Sequence, residues 1–197
     1  MAQINWEIVV GLLLGIGLSA SCGFRVFIPL LIAAVAGKMQ WIPMAESFAW
    51  LSSWTAIVCF GVAAVVEALA YYIPVVDNLL DTIATPVAVL AGALVSASTM
   101  VHLDPSWQWI LGLMIGGGTA GIMQTGTSLL RLGSTKFTAG TGNAVVNTGE
   151  IGISLVGSIL AVLLPVIVGI IVIIIVTIVL FYLLKKLAKR NANAQSV

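Results

Sequence analysis

The stretch "EIGISLVGSILAVLLPVIVGIIVIIIVTIVLFYLL" (residues 150–184) has a single charged residue, Glu150, in 35 positions. A helix rises about 1.5 Å per residue, so this stretch would measure roughly 52 Å as one straight helix. The hydrocarbon core of a bilayer is only about 30 Å thick. We therefore expect membrane-crossing helix here, either divided at Pro165 or with an end that projects into the cytoplasm.

The rest of the chain has a similar composition. Of the 197 residues 60% are apolar and 8% are charged, and the mean hydropathy is +1.17. A soluble domain carries about a quarter charged residues, so most of this surface cannot face water. The sequence predicts one all-α domain, a polytopic transmembrane helical bundle of about six spanning helices with a short broken or re-entrant segment near 138–148. We expect the helices at residues 5–22, 24–37, 48–72, 77–100, 107–131 and 150–184.

Two glycine-rich stretches resemble each other at an offset of 101 residues: "NWEIVVGLLLGIGLSA" begins at Asn5 and "SWQWILGLMIGGGTAG" begins at Ser106. Small residues at this spacing let helices approach closely, so we expect these glycines in helix packing. The alignment pairs Gly11, Gly15 and Gly17 with Gly112, Gly116 and Gly118. The pattern indicates a duplication, with repeats at 5–100 and 106–184, although chance similarity of two apolar helices explains it as well.

The basic residues give the orientation. The segment "KKLAKR" (185–190) lies in a tail, residues 185–197, which we expect in the cytoplasm because loops rich in Lys and Arg stay on that side. Lys38 also suits a cytoplasmic loop. Arg131 and Lys136 make the connection at 131–137 look cytoplasmic too, which conflicts with six crossings and a re-entrant segment. The order of the spans stays open, and the bacterial plasma (inner) membrane is the expected location.

Three carboxylates stand in the stretch "VVEALAYYIPVVDNLLDTI" (65–83), around a hairpin turn at Pro74. Glu67 lies within an apolar helix, where an ionised carboxylate is costly and by default marks a functional site. Asp81 lies as far beyond Pro74 as Glu67 lies before it, so the two could face each other. Asp77 fits a helix N-cap. The alternatives are a structural ion pair for Glu67 and stabilisation by the helix dipole for Asp81.

Other polar residues stand in two places. Arg25 lies near a break between two apolar helices, where it would pair with a carboxylate, contact an anion or reach the membrane surface. Asn143, Asn147 and Glu150 follow helical spacing and would share one polar face. The glycines before them favour a broken element that lines a cavity, although a plain loop before the last helix explains them too.

Three motifs carry a family resemblance: "GLSASCGFRVFIPLL" (17–31), "EALAYYIPVVDNLLD" (67–81) and "GNAVVNTGE" (142–150). In this order they resemble a family of small prokaryotic membrane proteins, the domain of unknown function DUF4126. The resemblance covers most of the chain. It implies a membrane location and a recurring set of polar residues, and it implies no activity.

The sequence contains no nucleophile elbow, phosphate-binding loop or dinucleotide fingerprint. One His, and Cys residues without ligand spacing, argue against a metal site. We therefore expect no enzyme, no catalytic residues, no cofactor and no nucleic-acid partner. The leading hypothesis is a small transporter or channel for an ion or small solute, with Glu67, Asp81, Arg25, Asn143, Asn147 and Glu150 along its path. The alternative is a structural or accessory protein that binds lipids or partner helices through its glycine faces, and association of identical chains is left open.

Overall fold

The computed structural model describes the backbone of residues 6–138 and 142–194. The description leaves out the side chains of residues 74, 75, 77–79, 81, 135–138, 183, 184 and 186–194. In the described part of the chain the regular structure is entirely helical, as predicted. The elements are α1 (Trp6–Cys22), α2 (Phe27–Lys38), a 3₁₀-helix (Glu46–Ser52), α3 (Trp54–Ala70), α4 (Pro74–Ser98), α5 (Pro105–Leu111), a π-helical segment (Gly112–Gly117), α6 (Gly118–Thr138), α7 (Asn143–Leu163) and α8 (Pro165–Ala194).

Proline marks the start of three helices. Pro74, Pro105 and Pro165 are the first residues of α4, α5 and α8. Proline suits this position because its fixed φ fits a helix and the first N–H of a helix has no partner within it. The expected division of the last apolar stretch at Pro165 is confirmed, since α7 ends at Leu163.

Two helices are long and apolar enough to cross a bilayer by themselves. They are α7 and the first 18 residues of α8, Pro165–Tyr182. The 3₁₀-helix and α3 together would form a third span with a bend of 60°. The search covers the described residues, so the expected six spans exceed the two or three found there. The difference arises because α1, α2 and Thr82–Ser98 are apolar but have only 10–17 residues each.

Large apolar side chains cover the outside of the bundle. On α8 the exposed residues include Ile167, Ile170, Ile174 and Ile178. A soluble protein would leave such a surface in contact with water, whereas in a membrane it would face acyl chains. The surface therefore fits an integral membrane protein.

The helix α1 lies in the core and packs against α4, α7 and α8. Close contacts require glycine there: a Cβ at Gly11 would lie 2.5 Å from the Thr99 carbonyl oxygen, and one at Gly112 would lie 2.7 Å from the Ala93 carbonyl oxygen. The other predicted packing glycines with such close neighbours are Gly15, Gly17 and Gly116. A Cβ at Gly118 would meet no atom of a neighbouring element within 4 Å, so the predicted packing role is wrong for this glycine.

Hydroxyl groups bridge the interfaces of α1 and α4. Thr99 Oγ1 donates to the Gly11 carbonyl oxygen at 2.9 Å, and Ser19 Oγ donates to the Gly92 carbonyl oxygen at 2.8 Å. Bonds of this kind stabilise helix contacts in membranes, where small residues bring two backbones together. The two glycine-rich stretches therefore both pack against α4, while the duplication itself stays a prediction.

The segment from 131 to 148 differs from the expectation. The helix α6 continues through 131–137, so no connection lies there, and Arg131 is buried within the bundle. Residues 143–148 form the first turns of α7 rather than a broken segment, and residues 139–141 lie outside the described part. This polar stretch can remain helical because Arg131 and Asn147, among its described side chains, have partners inside the protein.

Candidate functional site

The turn between α1 and α2 brings Arg25 into the interior. Its backbone N–H donates to the Ser21 carbonyl oxygen at 3.2 Å, and its own carbonyl oxygen accepts from Ser154 Oγ at 3.4 Å. The side chain is only 1% exposed. A break between two apolar helices is therefore fixed by hydrogen bonds and aims a guanidinium group into the bundle.

Glu67 of α3 holds the first residues of α2. Its Oε1 accepts from the Val26 N–H at 2.9 Å, and its Oε2 accepts from the Phe27 N–H at 3.1 Å. The N–H groups at the start of a helix have no partner within that helix, and inside a membrane they need one. Glu67 thus caps α2 from a neighbouring helix.

We expect Glu67→Gln to lower the free energy of unfolding by about 1–3 kcal/mol. A glutamine offers one acceptor oxygen, and its NH₂ group would face a backbone N–H that loses its acceptor. Denaturant or thermal unfolding of the purified protein in detergent measures the loss. A variant as stable as the wild type would contradict the capping role.

Glu150 of α7 lies between two buried arginines. Its Oε2 is 3.1 Å from Arg25 Nη2, and its Oε1 accepts from Arg131 Nε at 3.0 Å. A second, short contact joins Arg131 Nη2 to Glu150 Oε2. Arg131 therefore holds Glu150 with two nitrogens, whereas Arg25 reaches it with one.

Asn147 and Tyr71 complete the arrangement. Arg25 Nη2 lies 3.3 Å from Asn147 Oδ1, and Asn147 Nδ2 donates to the Tyr71 carbonyl oxygen at 2.6 Å. The guanidinium carbons of Arg25 and Arg131 lie 3.8 Å and 4.3 Å from the centre of the Tyr71 ring. Such contacts stabilise a cation that has left water. We refer to Arg25, Tyr71, Arg131, Asn147 and Glu150 as the charge cluster.

Arg25 retains donors that nothing in the described structure accepts. Its Nε and Nη1 are buried and have no hydrogen-bond partner there. Buried donors in proteins are nearly always paired, so an exception calls for an explanation. The charge cluster is thus held firmly, yet part of its hydrogen-bonding capacity is unused.

An apolar cavity of about 310 Å³ lies beside the charge cluster. Val26, Phe27, Glu67 and Tyr71 line it, together with apolar side chains of α3 and α4. Exposed apolar residues stand among the α3 and α4 side chains that line it, so in a membrane the cavity would adjoin acyl chains. Tyr71 therefore belongs both to the charge cluster and to the wall of the cavity.

The structure brings some of the predicted site residues together. Arg25, Asn147 and Glu150 come together, and Glu67 holds the turn that carries Arg25. Asn143 is the first residue of α7, one turn before Asn147.

Two aspartates were predicted to act near the start of α4. Asp77 lies in the first turn rather than at the N-cap, because α4 begins earlier, with Ile73 as N-cap and Pro74 as first residue. The side chains of Asp77 and Asp81 lie outside the described part, so the expected approach of Asp81 to Glu67 stays a prediction.

Sequence reasoning missed Arg131 and Tyr71. Arg131 was assigned to the junction between the helix at 107–131 and the connection at 131–137, although an Arg inside the apolar run "SLLRLG" requires a buried partner if that run is helical. For Tyr71 the sequence offers no such signal. The histidine of the chain, His102, has its Nε2 2.6 Å from Glu7 Oε2 in an exposed contact.

Comparison with known proteins gives a family. The profile described as "Domain of unknown function (DUF4126)" matches residues 12–186. The chain belongs to this family. The matched range includes every residue of the charge cluster and Glu67, and it confirms the resemblance seen in the sequence. No curated protein and no solved structure matches this DUF4126 chain.

Proposed function

We propose that this DUF4126 protein moves a small ion or polar solute across the membrane and binds it at the charge cluster. One observation carries the proposal: two arginines and a glutamate lie together in the interior of a chain with only 15 charged residues other than histidine. Ionisable side chains at membrane depth cost about 2.5–3.5 kcal/mol each on insertion scales. An ionisable residue at such a depth is therefore by default a candidate for binding or passage.

The origin of the residues supports the proposal. Arg25 comes from a turn, Arg131 from α6, and Asn147 and Glu150 from α7, so the charge cluster joins elements that are distant in sequence. In membrane transporters, binding sites form where helices are interrupted and several segments meet. Movement of one helix relative to the others would alter the contacts of Arg25.

A second candidate function is a structural or accessory membrane protein. It is favoured by Glu67, whose two oxygens both bind backbone N–H groups, and by the pairing of Glu150 with two arginines. Membrane lipids would then be its partners. For either function we place the chain in the plasma membrane with its basic C-terminal tail in the cytoplasm.

Solute flux tests the proposal. Purified protein is reconstituted in liposomes, and entry of protons, sodium, potassium, chloride, acetate and phosphate is measured against protein-free liposomes. We expect the wild type to raise the entry of at least one of them. Lys38→Gln serves as a control because it removes a positive charge outside the charge cluster. Lys38 is exposed and contacts Trp54. The variant should keep the wild-type rate, and a wild type that moves nothing would contradict the proposal.

A further inference from the structure

The hydrogen-bond donors of Arg25 are unequally used. Nη2 faces Glu150 Oε2, Asn147 Oδ1 and the Asn147 carbonyl oxygen at 3.1–3.4 Å. Nε and Nη1, by contrast, have no acceptor in the described structure, although the side chain is 1% exposed. Stacking on Tyr71 compensates the charge but does not accept these in-plane N–H groups.

The geometry of a guanidinium group selects a ligand class. Its donors point outward in one plane, and Nε and Nη1 each stand next to Nη2, so either side offers a two-pronged contact. Carboxylate and phosphate oxygens match that spacing, whereas a cation would meet repulsion from the same edge. We propose that the solute of the charge cluster is an oxyanion of the carboxylate or phosphate type, bound by Arg25. This inference rests on the proposed function, since it names the substrate class of that site.

The second arginine explains how Glu150 and a bound oxyanion could coexist. Glu150 is already a carboxylate on Arg25, so a ligand must compete with it. Arg131 contacts Glu150 through two nitrogens and can keep it when the single contact to Arg25 is released. Arg131 therefore acts as a positioning residue for Glu150, and Arg25 is the residue that exchanges partners.

Two sources can supply the oxyanion. A free anion would reach Arg25 from water, and a lipid phosphate would reach it from the membrane. The charge of the apolar cavity does not favour the free anion or the lipid. The wall of the cavity includes Tyr71, which also stacks on Arg25. Acyl chains in the cavity would therefore lie close to a phosphate bound at Arg25. The chemistry at Arg25 is the same for both.

Thermal unfolding of the purified protein in maltoside micelles tests the inference. Sodium acetate and sodium phosphate are titrated against sodium chloride at equal ionic strength, and phosphatidic acid is added to the micelles in a separate arm. We expect acetate, phosphate or the lipid to raise the unfolding midpoint in a saturable way that chloride does not reproduce. A response to the soluble ions identifies a free anion, and a response to the lipid alone identifies a headgroup.

Two variants move the affinity in opposite directions. Arg25→Lys keeps the charge but loses the planar donors, and we expect the apparent Kd to rise about tenfold or more. Glu150→Gln removes the competing carboxylate, and we expect the apparent Kd to fall about tenfold. Lys38→Gln should leave it unchanged. If Glu150→Gln does not fold, the midpoint shifts of the wild type and the apparent Kd of Arg25→Lys still test the inference.

Failure of the inference differs from failure of the proposed function. A wild type that gains nothing from acetate, phosphate or phosphatidic acid beyond the effect of chloride overturns the inference, even if liposomes show cation flux. An unchanged Kd in Arg25→Lys overturns it as well. Saturable stabilisation without flux in liposomes would instead support the binding site and refute transport.

Discussion

Glu150→Gln is expected to lower the free energy of unfolding by about 3–5 kcal/mol, the usual cost of removing one partner of a buried ion pair. Glu150 is the carboxylate that contacts both Arg25 and Arg131 in the charge cluster, and each of these three side chains is at most 5% exposed. A neutral amide would leave the two cations without that compensation. Titration with a denaturing detergent, followed by circular dichroism, measures the change.

The matched control for Glu150→Gln is Glu7→Gln. Glu7 also contacts another ionisable side chain, His102, but the Glu7 side chain is 72% exposed. Exposed pairs contribute about 0–1 kcal/mol, so this variant should unfold close to the wild type. Equal losses in the free energy of unfolding for Glu7→Gln and Glu150→Gln would show that burial does not make the charge cluster more stabilising than an exposed pair.

Gly116→Ala is expected to lower the free energy of unfolding by about 1–3 kcal/mol. A Cβ at this position would collide with the Gly92 carbonyl oxygen and the Ser96 side chain of α4. A backbone oxygen in a packed interface cannot move aside cheaply, so α4 and the π-helical segment must separate. The same unfolding titration measures the loss.

The control for Gly116→Ala lies two residues away. Gly118 has helical φ and ψ, and a Cβ added there would meet no atom of a neighbouring element within 4 Å. Alanine there should be neutral or should stabilise by up to about 1 kcal/mol, because glycine loses more backbone entropy on folding. If both alanine variants behaved alike, the close approach of α4 at Gly116 would be wrong.

The helical membrane class was predictable because it depends on composition. Long apolar runs and a low charge fraction leave no other class. Pro165 divides the last run because proline suits the first turn of a helix and not its interior. The number of spans was not predictable from apolar runs. The turn at Arg25 and the short helices that flank it depend on a tertiary cap from Glu67, which no local pattern reveals.

The site was predictable in part. Asn147 and Glu150 are three residues apart, so helical spacing placed them on one face. Arg25 was expected to pair with a carboxylate, contact an anion or reach the membrane surface, but its pairing with Glu150 was not predicted. Arg131 was missed because a basic residue near the end of a predicted helix is usually read as a marker of orientation. Glu67 was singled out as unusual in an apolar helix, with a functional role or an ion pair as the expectation. Its hydrogen bonds to Val26 and Phe27 became visible only in three dimensions.

We propose that the charge cluster is present for passage of a solute and not for stability alone. The most direct test replaces its ions with apolar residues of similar size, in the triple variant Arg25→Met, Arg131→Met and Glu150→Leu. Such replacements of buried ion pairs are often neutral or stabilising. The measurement is liposome flux of the solute that the wild type moves. We predict that the triple variant folds and incorporates into liposomes but loses the flux, whereas flux at the wild-type rate would contradict the claim.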